Sequence, residues 1–380
     1  MQSPKIQFTR NEFAGAFGDI GTDFPLIVAL ILTAGLHAPS VLIVFGVLQI
    51  ATGYFYKMPM PVQPLKAMAT LVISQKIGGP VLIGAGLAIG ILMLFLTSSG
   101  LLKLISQFIP KAVIRGIQFG LGLSLCSLAV KDYILPSAIA GYVLAGISFL
   151  IILLFIKNKR FPAAIVVLCL GLLYALLFEV SAVDLKESLG LHLPLLNLPS
   201  VENIVQGFLL LSLPQIPLSI GNSVLATQQA SADYFPKRKD ISISKLGYSY
   251  SLINLISPFF SGIPVCHGAG GLVGHYTFGG RSGASVIIYG FFYLVLGLFF
   301  GNGFSSIIQL FPLPVLGVIL LFEGLALLFL IHHLGSNKKQ LLIALITGII
   351  AFLMPYGYLL AMIIGSLLYF NADKIDWLKA

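Results

Sequence analysis

The stretch PMPVQPLKAM, residues 59–68, sets three prolines, a glutamine and a lysine inside otherwise apolar sequence. Proline removes a backbone donor and disfavours helix before it, so residues 58–63 are expected to be extended, with a helix beginning near Pro64. Around this stretch, 58% of the 380 residues are hydrophobic and only 9% are charged, far from the roughly 25% charged content of soluble domains. Apolar runs recur almost without pause, each near the roughly 20 residues that a spanning helix needs. The fold class expected is an all-α polytopic membrane protein, and PMPVQPLKAM is then a backbone break at membrane depth. Such a break survives only when buried in protein or lining a cavity.

Working outward, apolar segments fall at 12–35, 39–56, 62–75, 79–99, 105–130, 136–156, 162–178, 204–225, 246–262, 266–277, 283–300, 308–331, 340–354 and 356–371, fourteen in all. With the N-terminus inside, 18 of the 22 Lys and Arg residues lie on the cytoplasmic side. Lys76, Lys131 and Lys186 fall outside and Lys66 within the membrane, a distribution that fits the positive-inside rule with both termini cytoplasmic. The net charge of +9 is thereby read as topology rather than as a nucleic-acid surface. The start, MQSPKIQFTRNEF, has no continuous apolar core of a cleaved signal peptide. Cys126, Cys169 and Cys266 have no paired spacing, so neither disulfides nor a zinc site is expected.

The two halves read as repeats. Gly18-Asp19 precedes Pro61 by the same 43 residues that separate Gly221-Asn222 from Pro264, and Pro110 and Pro312 follow 49 and 48 residues later. Seven segments per half is an odd number, so the second half is inverted: residues 1–178 and 204–375, joined by an external linker at 179–203. In inverted-repeat transporters, Gly/Pro-interrupted segments at corresponding positions mark the binding site. Here these are AFGDIGTDFP (residues 16–25 with Phe17 onward, preceded by Gly15 and Ala14) with PMPVQPLKAM, and PQIPLSIGNS (214–223), also expected to break, with GIPVCHGAGGLVGHY (262–276). Half-helices 3 and 10, starting near Pro64 and His267, would direct free N–H groups and positive dipole ends into a cavity, a ready anion site.

The substrate-binding set expected from this pattern is Thr22, Gln63, Pro64, Lys66, Asn222, His267, Gly268 and Ala269. Lys66 in a first helical turn calls for a compensating anion, either the substrate or a fixed partner at Asp19 or Asp23, unless the side chain snorkels to an interface. Asp19, Asp23 and Glu323 are the intramembrane carboxylates expected to couple ions. Against these stand capping or packing roles for Asp19, Asp23 and Asn222, a buried pair for Glu323, a satisfied interior position for His267, and tight helix packing for the glycines. No nucleophile–base–orienter set, P-loop or dinucleotide fingerprint occurs, so an enzyme is not expected, nor a cofactor.

FGDIGTDFPL, PMPVQPLKAMA, IGNSVLAT and PVCHGAGGLVGHYTFGGRSG together resemble the signature stretches of the molybdate transporter family, related to the SulP sulfate permeases, and the likeness runs over essentially the whole chain. The resemblance implies uptake of molybdate, with sulfate as a further substrate, by a core domain (11–100 plus 204–300) moving against a gate domain (101–178 plus 301–372). It also implies a homodimer in the cell membrane. The cytoplasmic regulatory domain usual in SulP relatives is expected to be absent, and Asn222 stands where SulP members tend to carry a carboxylate. Driving a dianion into a negative-inside cell costs roughly 2.3 kcal/mol per charge per 100 mV, which calls for symport with protons or sodium. A nucleobase symporter of the same fold would need carboxylates at Asn222 and His267. An anion channel would need a continuous polar pore.

Overall fold

A computed structural model describes residues 5–155, 163–178, 190–309, 311–335, 337–354 and 356–372. The expected cation clusters at Lys157, Lys159 and Arg160 and at Lys374 and Lys379, with Lys186 and most of the acidic part of the linker, lie outside the described residues. The chain is mostly helical. In order the helices are α1 (Arg10–Ala16), α2 (Ile20–Ala34), α3 (Ala38–Tyr56), α4 (Lys66–Gln75), α5 (Gly79–Ser98), α6 (Leu101–Phe108), α7 (Lys111–Ile134), α8 (Ile139–Phe155), α9 (Ala163–Phe178), α10 (Val201–Tyr234), α11 (Ile243–Ile256), α12 (Ala269–Thr277), α13 (Ala284–Gln309), α14 (Leu313–Leu334), α15 (Lys338–Leu353) and α16 (Gly357–Asn371). By length and composition, α3, α5, α7, α10 and α14 are each sufficient to cross a membrane.

Apolar side chains point outward as well as inward. Leu154, Phe329 and Leu367 are 78%, 71% and 59% exposed, while the interior is itself filled by Leu, Ile, Val, Phe and Met. A large exposed apolar coat marks a surface made for something other than water, here hydrocarbon. Helix ends follow local chemistry. The His37 ring accepts the Ser40 N–H at the start of α3, where Pro39 fills the first turn. The short α4 stops at Lys76, which takes a left-handed conformation (φ 53°) and closes its N–H on the Val72 carbonyl.

With little hydrophobic drive between helices in lipid, close backbone approach supplies the packing. Helices α3 and α13 meet through glycine: a Cβ built on Gly283 would lie 1.9 Å from the Gly53 carbonyl oxygen, and one on Gly46 2.6 Å from that of Gly290. The described part of the linker lies across this pair, with the Gly190 and His192 N–H groups on the Phe299 and Leu298 carbonyls and Leu195 N–H on Ser40 Oγ.

The expected breaks before α4 and α12 are present as two short strands, β1 (Val62–Pro64) and β2 (Val265–His267), paired antiparallel with Val62 opposite His267 and Pro64 opposite Val265. The helices begin two residues later than the proline positions suggest, at Lys66 and Ala269. Backbone buried this deeply must be satisfied internally, and a matching amide clamp does so in each half. Gln49 donates to the Val62 carbonyl (2.7 Å) and accepts its N–H (3.0 Å). Asn254 donates to the Val265 carbonyl (2.7 Å) and accepts its N–H (3.0 Å).

The break expected in PQIPLSIGNS does not form. Helix α10 runs unbroken from Val201 to Tyr234, widening into π-type turns at Phe208–Ser212 and Ser219–Ala226 around Pro214 and Pro217. A π turn shifts the hydrogen-bond ladder by one residue, which lets a helix pass the donors that proline lacks without ending. In the first half the break is real: α1 ends at Ala16 and α2 starts at Ile20, with Asp19 as the residue preceding it.

Candidate functional site

Strands β1 and β2 run antiparallel and each leads within two residues into a helix, so α4 and α12 begin at opposite ends of the strand pair. Their N-termini therefore flank β1 and β2 and send unsatisfied N–H groups inward. One is already engaged: the Met68 N–H in the first turn of α4 donates to Gln215 Oε1 of α10 at 3.1 Å. Gln215 in turn donates to Ser219 Oγ (3.3 Å), which lies 2.8 Å from the Tyr250 hydroxyl. Lys66, half-buried, is the first residue of α4, and its carbonyl accepts the Thr70 hydroxyl at 2.9 Å.

At the other N-terminus, buried Asp19 lies against α12. Its Oδ2 is 2.3 Å from where a Cβ on Gly271 would stand, so only glycine admits the carboxylate there. A negative group at a helix N-terminus is stabilised by the dipole. Gln63 Nε2 donates to both carboxylate oxygens, at 2.8 and 2.7 Å. The Gln63 side-chain oxygen Oε1 is pressed against Gly268, 1.5 Å from the position of a Cβ. Asp19, Gln63 and Gly268 are thus one buried cluster, set against partly buried Ala269 at the start of α12.

Asp23, buried one turn further along α2, accepts from the Tyr289 hydroxyl at 3.4 Å, and Tyr289 is 3.1 Å from the Tyr293 hydroxyl. Thr22 is partly buried in the same turn, its N–H on the Asp19 carbonyl. Pro64 ends β1 and contributes backbone geometry. The His267 ring is turned toward Ser249, with Nε2 2.8 Å from its Oγ and Tyr56 edge-on at 5.2 Å. Its main-chain carbonyl accepts the Thr227 hydroxyl (3.4 Å), which also reaches the Asn222 carbonyl (3.2 Å). Asn222 is thereby set beside the end of β2. Glu323 lies on α14 and its side chain is outside the described residues.

A cavity of about 460 Å³ opens beyond the site along α4. Thr70 and Ser74 of α4 face Ser124, Ser127 and Asp132 of α7 across it, with Tyr358 of α16 closing one wall. Thr70 is one turn from Lys66, so the cavity leads toward the N-terminus of α4.

Residues 11–125 and 207–327 match the family model described as "Molybdate transporter of MFS superfamily". The chain belongs to the molybdate transporter family. Molybdate transporter 2 of Arabidopsis thaliana is 33% identical over 87% of this chain and 80% of its own length, and Molybdate transporter 1 of the same plant is 32% identical over 89% and 83%. Molybdate transporter 1 of Chlamydomonas reinhardtii is 25% identical over 87% and 86%. These relatives are transporters and not enzymes. Among solved structures, the transmembrane domain of the cyanobacterial bicarbonate transporter BicA superposes with a TM-score of 0.70 at 18% identity, covering 93% of this chain and 98% of that one. Murine Slc26a9, an anion transporter in its inward-facing state, gives 0.71 at 16%, covering 98% and 70%. At those identities the likeness is one of fold.

Within this transporter several residues that sequence reasoning passed over hold the site. Gln49 and Asn254 clamp the strands, Gln215 caps α4, and buried Glu12 accepts the N–H groups of Arg281, Ser282 and Ser285 at the start of α13. Gln118 of α7 donates to Asn222 Oδ1 at 3.2 Å. Each is a polar residue inside or at the edge of an apolar run, a signal visible in the sequence; the partners of Gln215, Glu12 and Gln118 lie 104 or more residues away, and those of Gln49 and Asn254 13 and 11. His275 of α12 is fully buried, and neither ring nitrogen has a hydrogen-bond partner among the described residues.

Proposed function

We propose that the protein is a secondary active transporter that imports molybdate, with sulfate as a competing tetrahedral dianion, by proton symport across the cell membrane. The observation that carries this reading is the Asp19–Gln63 pair at the start of α12, a carboxylate and an amide occupying the place where an oxyanion would meet a helix N-terminus. An ionised carboxylate only accepts hydrogen bonds, so it holds the Gln63 N–H groups to itself and leaves the amide oxygen toward Gly268. A protonated Asp19 donates instead. The Gln63 amide then turns over, its N–H groups become available to an anion, and the negative charge that would repel the anion is gone. The groups around this switch are Asp23 on the same helix, Lys66 on α4, His267 on β2, His275 on α12, and Tyr289 and Tyr293 on α13.

This arrangement couples anion binding to proton uptake. Two charges moved inward cost about 4.6 kcal/mol per 100 mV, so at least two protons accompany each dianion; Asp23 and Glu323 are the further carriers. The reading also takes the chain as two inverted seven-segment repeats, 1–178 and 204–375. Their support is the matched pair of half-helices, each preceded by a clamped strand. Core and gate then slide on one another, and the hydroxyl-lined cavity between α4, α7 and α16 is the outward path, on the side of Lys76 and Lys131.

Uptake of labelled molybdate into proteoliposomes under an imposed pH gradient tests the proposal. Acid outside should drive accumulation, and Asp19→Asn should still bind molybdate at neutral pH yet lose proton-driven accumulation. Uptake indifferent to both proton and sodium gradients would refute symport.

A further inference from the structure

We propose that Arg115 and Gln118 are positioning residues that fix Asn222 as a hydrogen-bond donor to the oxyanion, an inference that rests on the transport reading above. Helix α7 crosses α10 at close range: a Cβ on Gly221 would lie 2.9 Å from Ile114 Cγ2. At this crossing Arg115 Nη1 donates to Gln118 Oε1 at 2.8 Å, and Gln118 Nε2 donates to Asn222 Oδ1 at 3.2 Å. Arg115 and Gln118 are three apart and so share a helix face.

The direction of this chain is set at its first member. A guanidinium has donors and no acceptor, so Gln118 must turn its carbonyl oxygen to Arg115 and its NH2 group to Asn222. Asn222 must then meet Gln118 with Oδ1, which leaves its own NH2 group for a ligand. Turning either amide over would bring donor against donor. Gln118 is buried, where water cannot relieve such a mismatch, and the charged start strengthens the bonds that follow.

The place is the right one. The Asn222 carbonyl shares the Thr227 hydroxyl with the His267 carbonyl at the end of β2, two residues before α12 begins. A donor there suits a tetrahedral dianion, all of whose oxygens accept. It opposes a ligand that brings N–H groups, since two donors would face each other unpaired. Asn222 is the repeat counterpart of Asp19. In this assignment the first half supplies a group switched by a proton and the second half one directed by α7, from across the sliding boundary, in the conformation seen here.

The test is calorimetric titration of sodium molybdate into the purified full-length protein, with thermal unfolding run alongside. Gln118→Glu keeps the Arg115 partnership, but its carboxylate only accepts, so Asn222 must turn its NH2 group away from the ligand. The molybdate Kd should rise by about tenfold or more. Gln118→Met leaves Asn222 free to face either way and should cost less than Gln118→Glu. Arg115→Lys, still only a donor, should stay within about threefold of wild type, and Arg115→Met should not. Gln118→Glu binding as tightly as wild type, or more tightly than Gln118→Met, overturns the assignment. Should Gln118→Glu fail to fold, the Arg115 pair decides in its place, and equal affinities for Arg115→Lys and Arg115→Met overturn it. Wild-type protein that does not bind molybdate refutes the transport reading, whereas tight wild-type binding with unchanged variants overturns only the role of Arg115 and Gln118.

Discussion

Replacing Gly268 with alanine introduces one methyl group at the point where Gln63 rests on α12. That methyl carbon would lie 1.5 Å from Gln63 Oε1, 2.3 Å from its Cδ and 3.1 Å from its Cγ. The Gln63 amide must retreat by about 2 Å to regain ordinary contact distance, which breaks its bonds to both Asp19 oxygens at 2.8 and 2.7 Å. The backbone at residue 268 is extended (φ −114°, ψ 127°), a conformation that alanine adopts freely, so the collision and not strain is the whole effect. So displaced, Gln63 can no longer present its N–H groups to a bound oxyanion, and a hydrogen bond to a charged group contributes about 1.5–3 kcal/mol, which corresponds to roughly tenfold to a hundredfold in molybdate affinity. Gly270→Ala is the internal control, because a Cβ there meets nothing within 4 Å. Binding titrations and proteoliposome uptake on both variants give the answer. Wild-type affinity in Gly268→Ala, or equal loss in both, would refute the placement of Gln63 in the site.

Three further outcomes follow from the same geometry. Asn254→Ala or Gln49→Ala removes two hydrogen bonds from a buried strand and should lower stability by about 2–4 kcal/mol, read as a drop in melting temperature in detergent for each variant. Gly283→Ala forces a carbon to within 1.9 Å of the Gly53 carbonyl oxygen and should be strongly destabilising, whereas Gly146→Ala, with open space around it inside α8, should be neutral or stabilising by up to about 1 kcal/mol; the order of the two melting temperatures checks this. In the connection after α10, the Arg238 guanidinium and then Lys245 hold the Asp240 carboxyl well below the usual carboxylate range. A depressed carboxyl adds stability above its unfolded pKa and loses it as pH falls through the folded one. Asp240→Asn should therefore cost under about 1 kcal/mol at pH 7, since the pair is exposed, with the difference shrinking below about pH 4; a difference that grows on acidification would refute the ion pair's role.

The membrane class, the helical segments and the strand breaks were legible in the sequence because each depends on local chemistry. Proline at 59, 61 and 64 cannot donate to a helix, and an apolar run of the right length needs nothing else to form one. The same local rules placed Asp19, Gln63, Gly268 and Ala269 in the site by their position at the breaks, and the structure gathers these four into one cluster. The rules misjudged α10, since proline at 214 and 217 predicts a break wherever the ladder cannot shift, and a π turn shifts it. They also passed over Gln49, Gln215, Gln118 and Asn254, since a lone amide in an apolar run names no partner.

By itself, the sequence determined that this chain is a polytopic membrane protein whose backbone breaks at the prolines ahead of two half-helices, and its motifs carried the family. Only the tertiary structure decided which way the Gln63 and Asn222 amides face. That direction is set by the first group in each chain of hydrogen bonds, a carboxylate for Gln63 and a guanidinium for Asn222. Both are brought to the site from elsewhere in the chain, 44 residues from Gln63 in one case and, through Gln118, 104 residues from Asn222 in the other.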